Sequence, residues 1–395
     1  GVQTFNFEGA NTVGTLTSSQ YAKYVLAAAD ATLTAPEGFN VTTSVENSLV
    51  KYVDGAYKVV PAVAKIGDVC YETLADAIAA IGAGDVTIVL LANVSLDITA
   101  WQTLAIGGDN TTSITIDGDN GEEEDFTLTF NKLNSDWNHV ATSNDNATKL
   151  ILKNLKLADS GYNNGPWNRY DIVFASDVEL TNVVSAKALA FKADATLNNV
   201  TINESGDNYA IWIQPNGQSV TIDGLVINSA GRGIKVDEQY VTAQNVSLSV
   251  ANATFTTAKK AAIMVKSSAE TTITVGENVN IANVAADQTN IAWVDEDAAA
   301  HYGKVTVTGG TLTQENLPIF VAALMNGDKV EGYYETLPKA ITAQTGSEIV
   351  KVLKDATGAG AKINKNITID FNDKTYTFNE GVGSGDLTSN GFQLL

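Results

Sequence analysis

The chain has 395 residues, with 24 Lys plus Arg against 45 Asp plus Glu and a formal charge of -21, a balance that repels nucleic acid and anionic membrane surfaces and argues against a nucleic-acid partner. Its one cysteine, Cys70, rules out an intrachain disulfide and any multi-cysteine metal or redox motif, though not secretion. The most apolar runs, Tyr24 to Ala29 and Val86 to Val94, are too short to span a bilayer, so no membrane insertion is expected. The composition is poor in Pro and Met and rich in Thr, Val, Asn, Ala and Gly, which fits many short strands punctuated by polar turns.

Residues 1–60 read as a small α+β region. Tyr21, Tyr24, Val25 and Ala28 fall at helical spacing behind Ser and Thr residues, which predicts a short helix over Ser19 to Ala29. Lys51 to Lys58 alternates around Asp54-Gly55, a type I′ hairpin signal because both central residues tolerate positive φ. The sequence starts at Gly1 without Met and shows no leader pattern, so a removed leader or a fragment of a longer protein is expected.

Pro61 opens a second region, 61–320. A helix is predicted over 73–81, with Thr73 as N-cap and Gly82 ending it, followed by a strand over Val86 to Leu91. The opening returns later: Tyr334-Glu-Thr-Leu-Pro-Lys-Ala-Ile341 matches Tyr71-Glu-Thr-Leu-Ala-Asp-Ala-Ile78. Pro338 is tolerated there because it lies in the first helical turn. Region 321–395 is therefore a second cap helix with the first rungs of an incomplete module.

Between the two copies, short apolar strands carrying a turn residue recur, most at steps of roughly 25 to 28 residues with one shorter and two longer intervals, the scale of one solenoid turn. They include Leu152-Lys-Asn-Leu155, Leu180-Thr-Asn-Val183, Leu197-Asn-Asn-Val200, Ile222-Asp-Gly-Leu225 and Val250-Ala-Asn-Ala253. Tyr209 to Asp237 holds one complete unit, in which Ile211, Ile213, Val220, Ile222, Ile234 and Val236 alternate with polar or aromatic residues at period two. Stacking such units buries their apolar rows and leaves the ends needing caps, a place suited to the 73–81 helix.

The run from Ile114 to Asp297 resembles the right-handed parallel β-helix repeats of large surface proteins of gut bacteria. The resemblance rests on Gly-Pro-Trp167-Asn-Arg169-Tyr-Asp171, Ala-Ile-Trp212-Ile-Gln-Pro-Asn216-Gly and Gly-Arg232-Gly-Ile-Lys235-Val-Asp237, with the Tyr-Glu-Thr-Leu openings similar to helix caps of the same proteins. It implies a mainly β fold, a right-handed single-stranded parallel β-helix of pectate-lyase-like architecture without a catalytic signature. It also implies an extracellular or bacterial cell-surface setting.

Stacking in register predicts an outward ladder of Ala190 and Lys192, Trp212 and Gln214, Lys235 and Asp237, Met264 and Lys266, then Trp293 and Asp295. Exposed aromatic rings beside amide and charged groups are what a sugar-binding face uses, and Arg232 flanks it. A second candidate is the polar loop with Trp167, Arg169 and Tyr170. Asp117 to Asp125 begins like a calcium loop but has Leu128 where the closing Glu belongs, so Ca²⁺ is weakly supported and no cofactor is assigned. His139 and His301 form no metal spacing. The expectation is a non-enzymatic, adhesin-like segment of a larger surface protein, monomeric in isolation, that contacts glycan or a host surface protein. The alternatives are a polysaccharide lyase or glycoside hydrolase, and a passive stalk.

Overall fold

The computed structural model describes residues 3–12, 22–98, 103–108, 110–121, 124–132, 139–142, 148–159, 172–203, 209–228, 232–239, 241–256, 262–281, 305–308, 320–327, 329–383 and 390–395. The chain is mainly β with long parallel sheets. The N-terminal region differs from expectation. Ala22–Leu26 is a strand, paired in parallel with Gln3–Phe7 and Val41–Thr43, where the sequence spacing predicted a helix. Tyr24 and Leu26 are buried at period two, and the Tyr24 ring lies 5.7 Å from Phe5, 6.3 Å from Phe7 and 5.8 Å from Phe39. Phe5 and Phe7 lie on the neighbouring strand and Phe39 just before Val41–Thr43, so long-range packing overrides the local i, i+3 pattern. The hairpin is as predicted: Ser48–Val53 pairs antiparallel with Ala56–Pro61, and Asp54 and Gly55 take φ of 52° and 80°.

The main body holds a 13-stranded sheet and a 7-stranded sheet. From Lys149–Asp159 onward the strands alternate between them: Ile172–Phe174 lies in the smaller sheet, Val178–Ser185 in the larger, Leu189–Phe191 in the smaller and Ala195–Ile202 in the larger. Tyr209–Ile213, Ser219–Ile227, Arg232–Asp237, Val246–Phe255, Ile263–Lys266 and Thr271–Ile281 continue the alternation. Each strand pairs in parallel with its counterpart one pass later, as in Leu180↔Leu197↔Ile222↔Val250 and Phe174↔Phe191↔Ile213↔Val236. The inward residues of both sheets, including Leu152, Leu180, Phe191, Leu197, Ile213, Ile222, Ile234 and Val250, form one core.

Asparagines shape the long strands. Asn154, Asn182 and Asn199 adopt φ of 51°, 53° and 55°, a left-handed conformation that Asn tolerates better than other side chains. At Asn154 the strand Lys149–Asp159 turns, pairing through Lys149 to Lys153 with Thr111–Asp117 and through Lys156 to Asp159 with Thr127–Lys132. The amides also link the rungs: Asn154 Nδ2 donates to Asp117 Oδ1 at 3.0 Å, Asn182 to Asn154 at 2.9 Å and Asn199 to Asn182 at 2.9 Å. Gly224, at φ 80° and with room for a Cβ only 3.1 Å from the Asn199 backbone, occupies the next corner. The ladder resumes from Asp223 to Asn252 and from Asn252 to Asn278.

The repeated opening is a hairpin followed by a helix. Ala64–Ile66 and Val69–Tyr71 form an antiparallel pair on the edge of Gly84–Leu90, and helix α1, Leu74–Ala79, buries Leu74 and Ala77 in the main core. The predicted cap helix is present, shorter than the expected 73–81, with an antiparallel hairpin beside it. In the second copy Ala322–Asn326 pairs antiparallel with Lys329–Tyr334 and Ile349–Val352, and α2 spans Leu337–Ala343 with Pro338 in its first turn. Its first strand faces two cores. Phe320 and Ala323 belong to the main core, with Met325 packed against it, whereas Ala322 and Leu324 belong to a separate core with Leu337, Ile341, Val350 and Tyr376.

Candidate functional site

The outward ladder has the predicted register: Ala190 pairs with Trp212, Trp212 with Lys235, Lys235 with Met264, and Asp237 with Lys266. Its exposure is not as predicted. Trp212, Gln214, Lys235, Asp237 and Met264 are all buried, with Trp212 at 2% and Lys235 at 6%. The groups satisfy one another. Trp212 Nε1 donates to the Asp237 carbonyl at 3.1 Å and Gln214 Nε2 to the Gln239 carbonyl at 3.0 Å. Lys235 Nζ lies 2.7 Å from Asp237 Oδ2, 5.5 Å from the Trp212 ring centre and 5.7 Å from that of Tyr209, within cation–π range of both. Tyr209 donates its hydroxyl to the Met264 sulfur at 3.0 Å. This cluster packs the outer face of the 7-stranded sheet, so it is no open sugar platform.

Lys192 and Lys266 are half-buried. Arg232 begins a strand, while its side chain, together with Trp167, Arg169, Tyr170, Trp293 and Asp295, lies outside the described residues. The acidic run turns to internal partners. Asp117 Oδ2 sits 2.9 Å from Lys153 Nζ, Asp119 accepts from the Gly121 amide at 2.7 Å, and Glu124 lies 3.0 Å from Lys156. Burial raises the Asp117 carboxyl, but Lys153, Asn154 and the Asp119 amide outweigh it and hold it below the usual range. Among the described residues no group of three or more His, Cys, Asp or Glu is placed to hold a metal ion, and no helix is long and apolar enough to cross a membrane.

A concave site does form nearby, at the corner where three successive passes leave the smaller sheet for the larger. A cleft of about 370 Å³ is lined by Ala175, Asp177, Lys192, Ala193, Asp194, Asn216, Gly217 and Gln218. Its walls are fixed from below. Asp177 Oδ1 accepts the Asp194 amide at 3.2 Å and Asp194 Oδ1 accepts the Ser219 amide at 2.8 Å, so each carboxylate holds the following pass. Gln218, 4% exposed, donates to the Gln214 carbonyl at 2.6 Å and accepts the Asn216 amide at 2.7 Å. Asn216 Nδ2 donates to the Lys192 carbonyl at 3.3 Å. Burial and then the neighbouring Asp194 charge push the Asp177 carboxyl up, and burial lowers the Lys192 ammonium. Sequence reasoning passed over Asp177 and Asp194. The available signal was an aspartate directly before an apolar strand in two successive units, Ser176-Asp177-Val178 and Ala193-Asp194-Ala195.

No protein-family model matches the chain, and comparison with curated proteins and with solved structures finds no similar one.

Proposed function

We propose that the two long sheets are the walls of a right-handed single-stranded parallel β-helix, and that the chain is a non-enzymatic, adhesin-like segment of an extracellular or bacterial cell-surface protein that contacts glycan or a host surface protein. What supports the architecture is the alternation of strands between the two sheets from Lys149 to Ile281, paired in parallel around one core. A chain that returns to the same sheet one strand further on at every pass is a coil, and parallel crossover connections are overwhelmingly right-handed. Such a coil grows by adding passes without enlarging its core cross-section, which suits a protein that must present a long surface. A charge of -21 keeps that surface soluble. The test is adhesion of the fluorescently labelled chain to mucin-coated and host-cell surfaces. Saturable binding is expected, and no binding to any of them would remove the adhesin-like reading.

One observation favours a second reading, cleavage of a polysaccharide. Asp177 is raised by burial and by Asp194 in a shared cleft, and a carboxyl raised by its surroundings is what acid catalysis of glycosidic cleavage uses. New reducing ends from neutral polysaccharides, abolished by Asp177→Asn, would replace the binding reading.

A further inference from the structure

We infer, resting on the glycan-contact reading above, that the cleft between Asp177, Lys192, Asp194 and Asn216 is a binding site for one neutral sugar unit and discriminates against acidic sugars. Its volume of about 370 Å³ lies at the lower end of the range of small-molecule sites, about 300 to 1,000 Å³, the scale of a single sugar unit rather than a buried oligomer. The polar lining is drawn from three successive passes, Asp177 from one, Lys192 and Asp194 from the next, Asn216 and Gln218 from the third, so the site exists only when the passes stack.

The polar groups are held before any ligand arrives. Each aspartate uses Oδ1 to accept a backbone amide of the next pass, and Oδ2 of each accepts no hydrogen bond from the described residues. That leaves two oriented acceptors on adjacent passes, which stand ≈ 4.8 Å apart in a parallel sheet. Hydroxyl groups on neighbouring ring carbons can donate to both at once. Asn216 is fixed by Gln218 beneath it, by the Lys192 carbonyl and by Gln244, whose Nε2 donates to Asn216 Oδ1 at 3.3 Å. Such fixed groups lose little freedom on binding, which is the main cost of gripping a flexible, well-hydrated sugar.

Charge sets the selectivity. Two carboxylates and one lysine line the cleft, inside the field of a chain of net charge -21. A uronate or sulfated unit would bring a further negative charge to a lining in which two aspartates already outnumber one lysine, whereas a neutral hexose or N-acetylhexosamine brings donors to acceptors.

Isothermal titration of the full chain with galactose, glucose, N-acetylglucosamine and galacturonate tests this. At least one neutral sugar is expected to bind and galacturonate to bind at least tenfold more weakly. The double variant Asp177→Asn/Asp194→Asn keeps the Oδ1 acceptors of the ladder and is expected to lose at least tenfold in affinity with its melting temperature little changed. Asn216→Ala, at an exposed position, supplies an independent variant if the double one does not fold. Absence of binding by all three neutral sugars, equal binding of galacturonate, or unchanged affinity in both variants overturns the inference. Mucin or cell adhesion that persists in those variants overturns the cleft alone and leaves the surface reading standing.

Discussion

In the 13-stranded sheet the strands alternate between buried and solvent-facing positions, as Val178–Ser185 and Ser219–Ile227 do. In the 7-stranded sheet, Leu189–Phe191 and Tyr209–Ile213 are buried at every position. Both sheets turn one face to the same core, so the difference lies wholly in the outer face. The larger sheet displays Thr, Asn, Glu and Asp to water, while the smaller covers Ala190, Trp212, Lys235 and Met264. A strand covered on both sides has no polar face to advertise, and reads as a continuous apolar run such as Tyr-Ala-Ile-Trp-Ile. Polar residues that stay in such a run must then find partners inside the protein, as Lys235 and Asp237 do.

The largest effect should come from breaking that buried pair. Lys235→Met leaves the Asp237 carboxylate covered without its cation and is expected to cost about 3 to 5 kcal/mol in urea unfolding, whereas the double variant Lys235→Met/Asp237→Leu should recover most of the loss. If the outer face of the smaller sheet were open to water, both variants would stay within about 1 kcal/mol of the parent.

The next effect belongs to the larger sheet's corners. Asn182→Ala removes two ladder hydrogen bonds and places alanine at φ 53°, for an expected loss of about 2 kcal/mol; Asn182→Gly loses the same bonds without the backbone strain and should cost about 1. Equal losses for the two would remove the left-handed corner from the account.

A smaller effect is expected from the cleft. The Asp177 carboxyl is raised in the folded chain, so the folded state binds the proton more tightly than the unfolded one. Its stabilising contribution is complete below the unfolded value near 4 and is lost as pH rises through the folded value. Thermal melts of Asp177→Asn against the parent should therefore show the variant gaining relative stability as pH climbs from 4 toward neutrality, and a reversed slope would contradict the direction of the shift. The smallest effect is Glu179→Gln, which removes an exposed pairing with Lys149 and should change stability by under about 1 kcal/mol.

Period two and recurring Asn or Gly turns made the larger sheet legible from sequence, because its alternation is the direct imprint of one wet and one dry face. The same reasoning gave the correct neighbours Ala190, Trp212, Lys235 and Met264 in the smaller sheet but the wrong surroundings: periodicity says which residues share a face, not what lies over it. The N-terminal strand Ala22–Leu26 has helical spacing in the sequence for a related reason, since the Phe5, Phe7 and Phe39 rings that pack on Tyr24 and make it a strand come from distant positions. The cleft was invisible because Asp177, Lys192 and Asn216 are brought together only by stacking, and an aspartate before a strand is an ordinary turn residue until its counterpart one pass later is known.

Successive passes of the chain lie side by side in register. Thr181 pairs with Asn198 and Asn198 with Asp223, on the outer face of the larger sheet. In a Cys70→Ser background, the pair Thr181→Cys/Asn198→Cys should oxidise to an intrachain disulfide, detected by mass after alkylation, because neighbouring parallel strands stand ≈ 4.8 Å apart, inside the range a disulfide spans. Thr181→Cys/Asp223→Cys, two passes apart, should remain as free thiols. Crosslinking of the second pair and not the first would contradict the stacking of the passes and the cleft built on it.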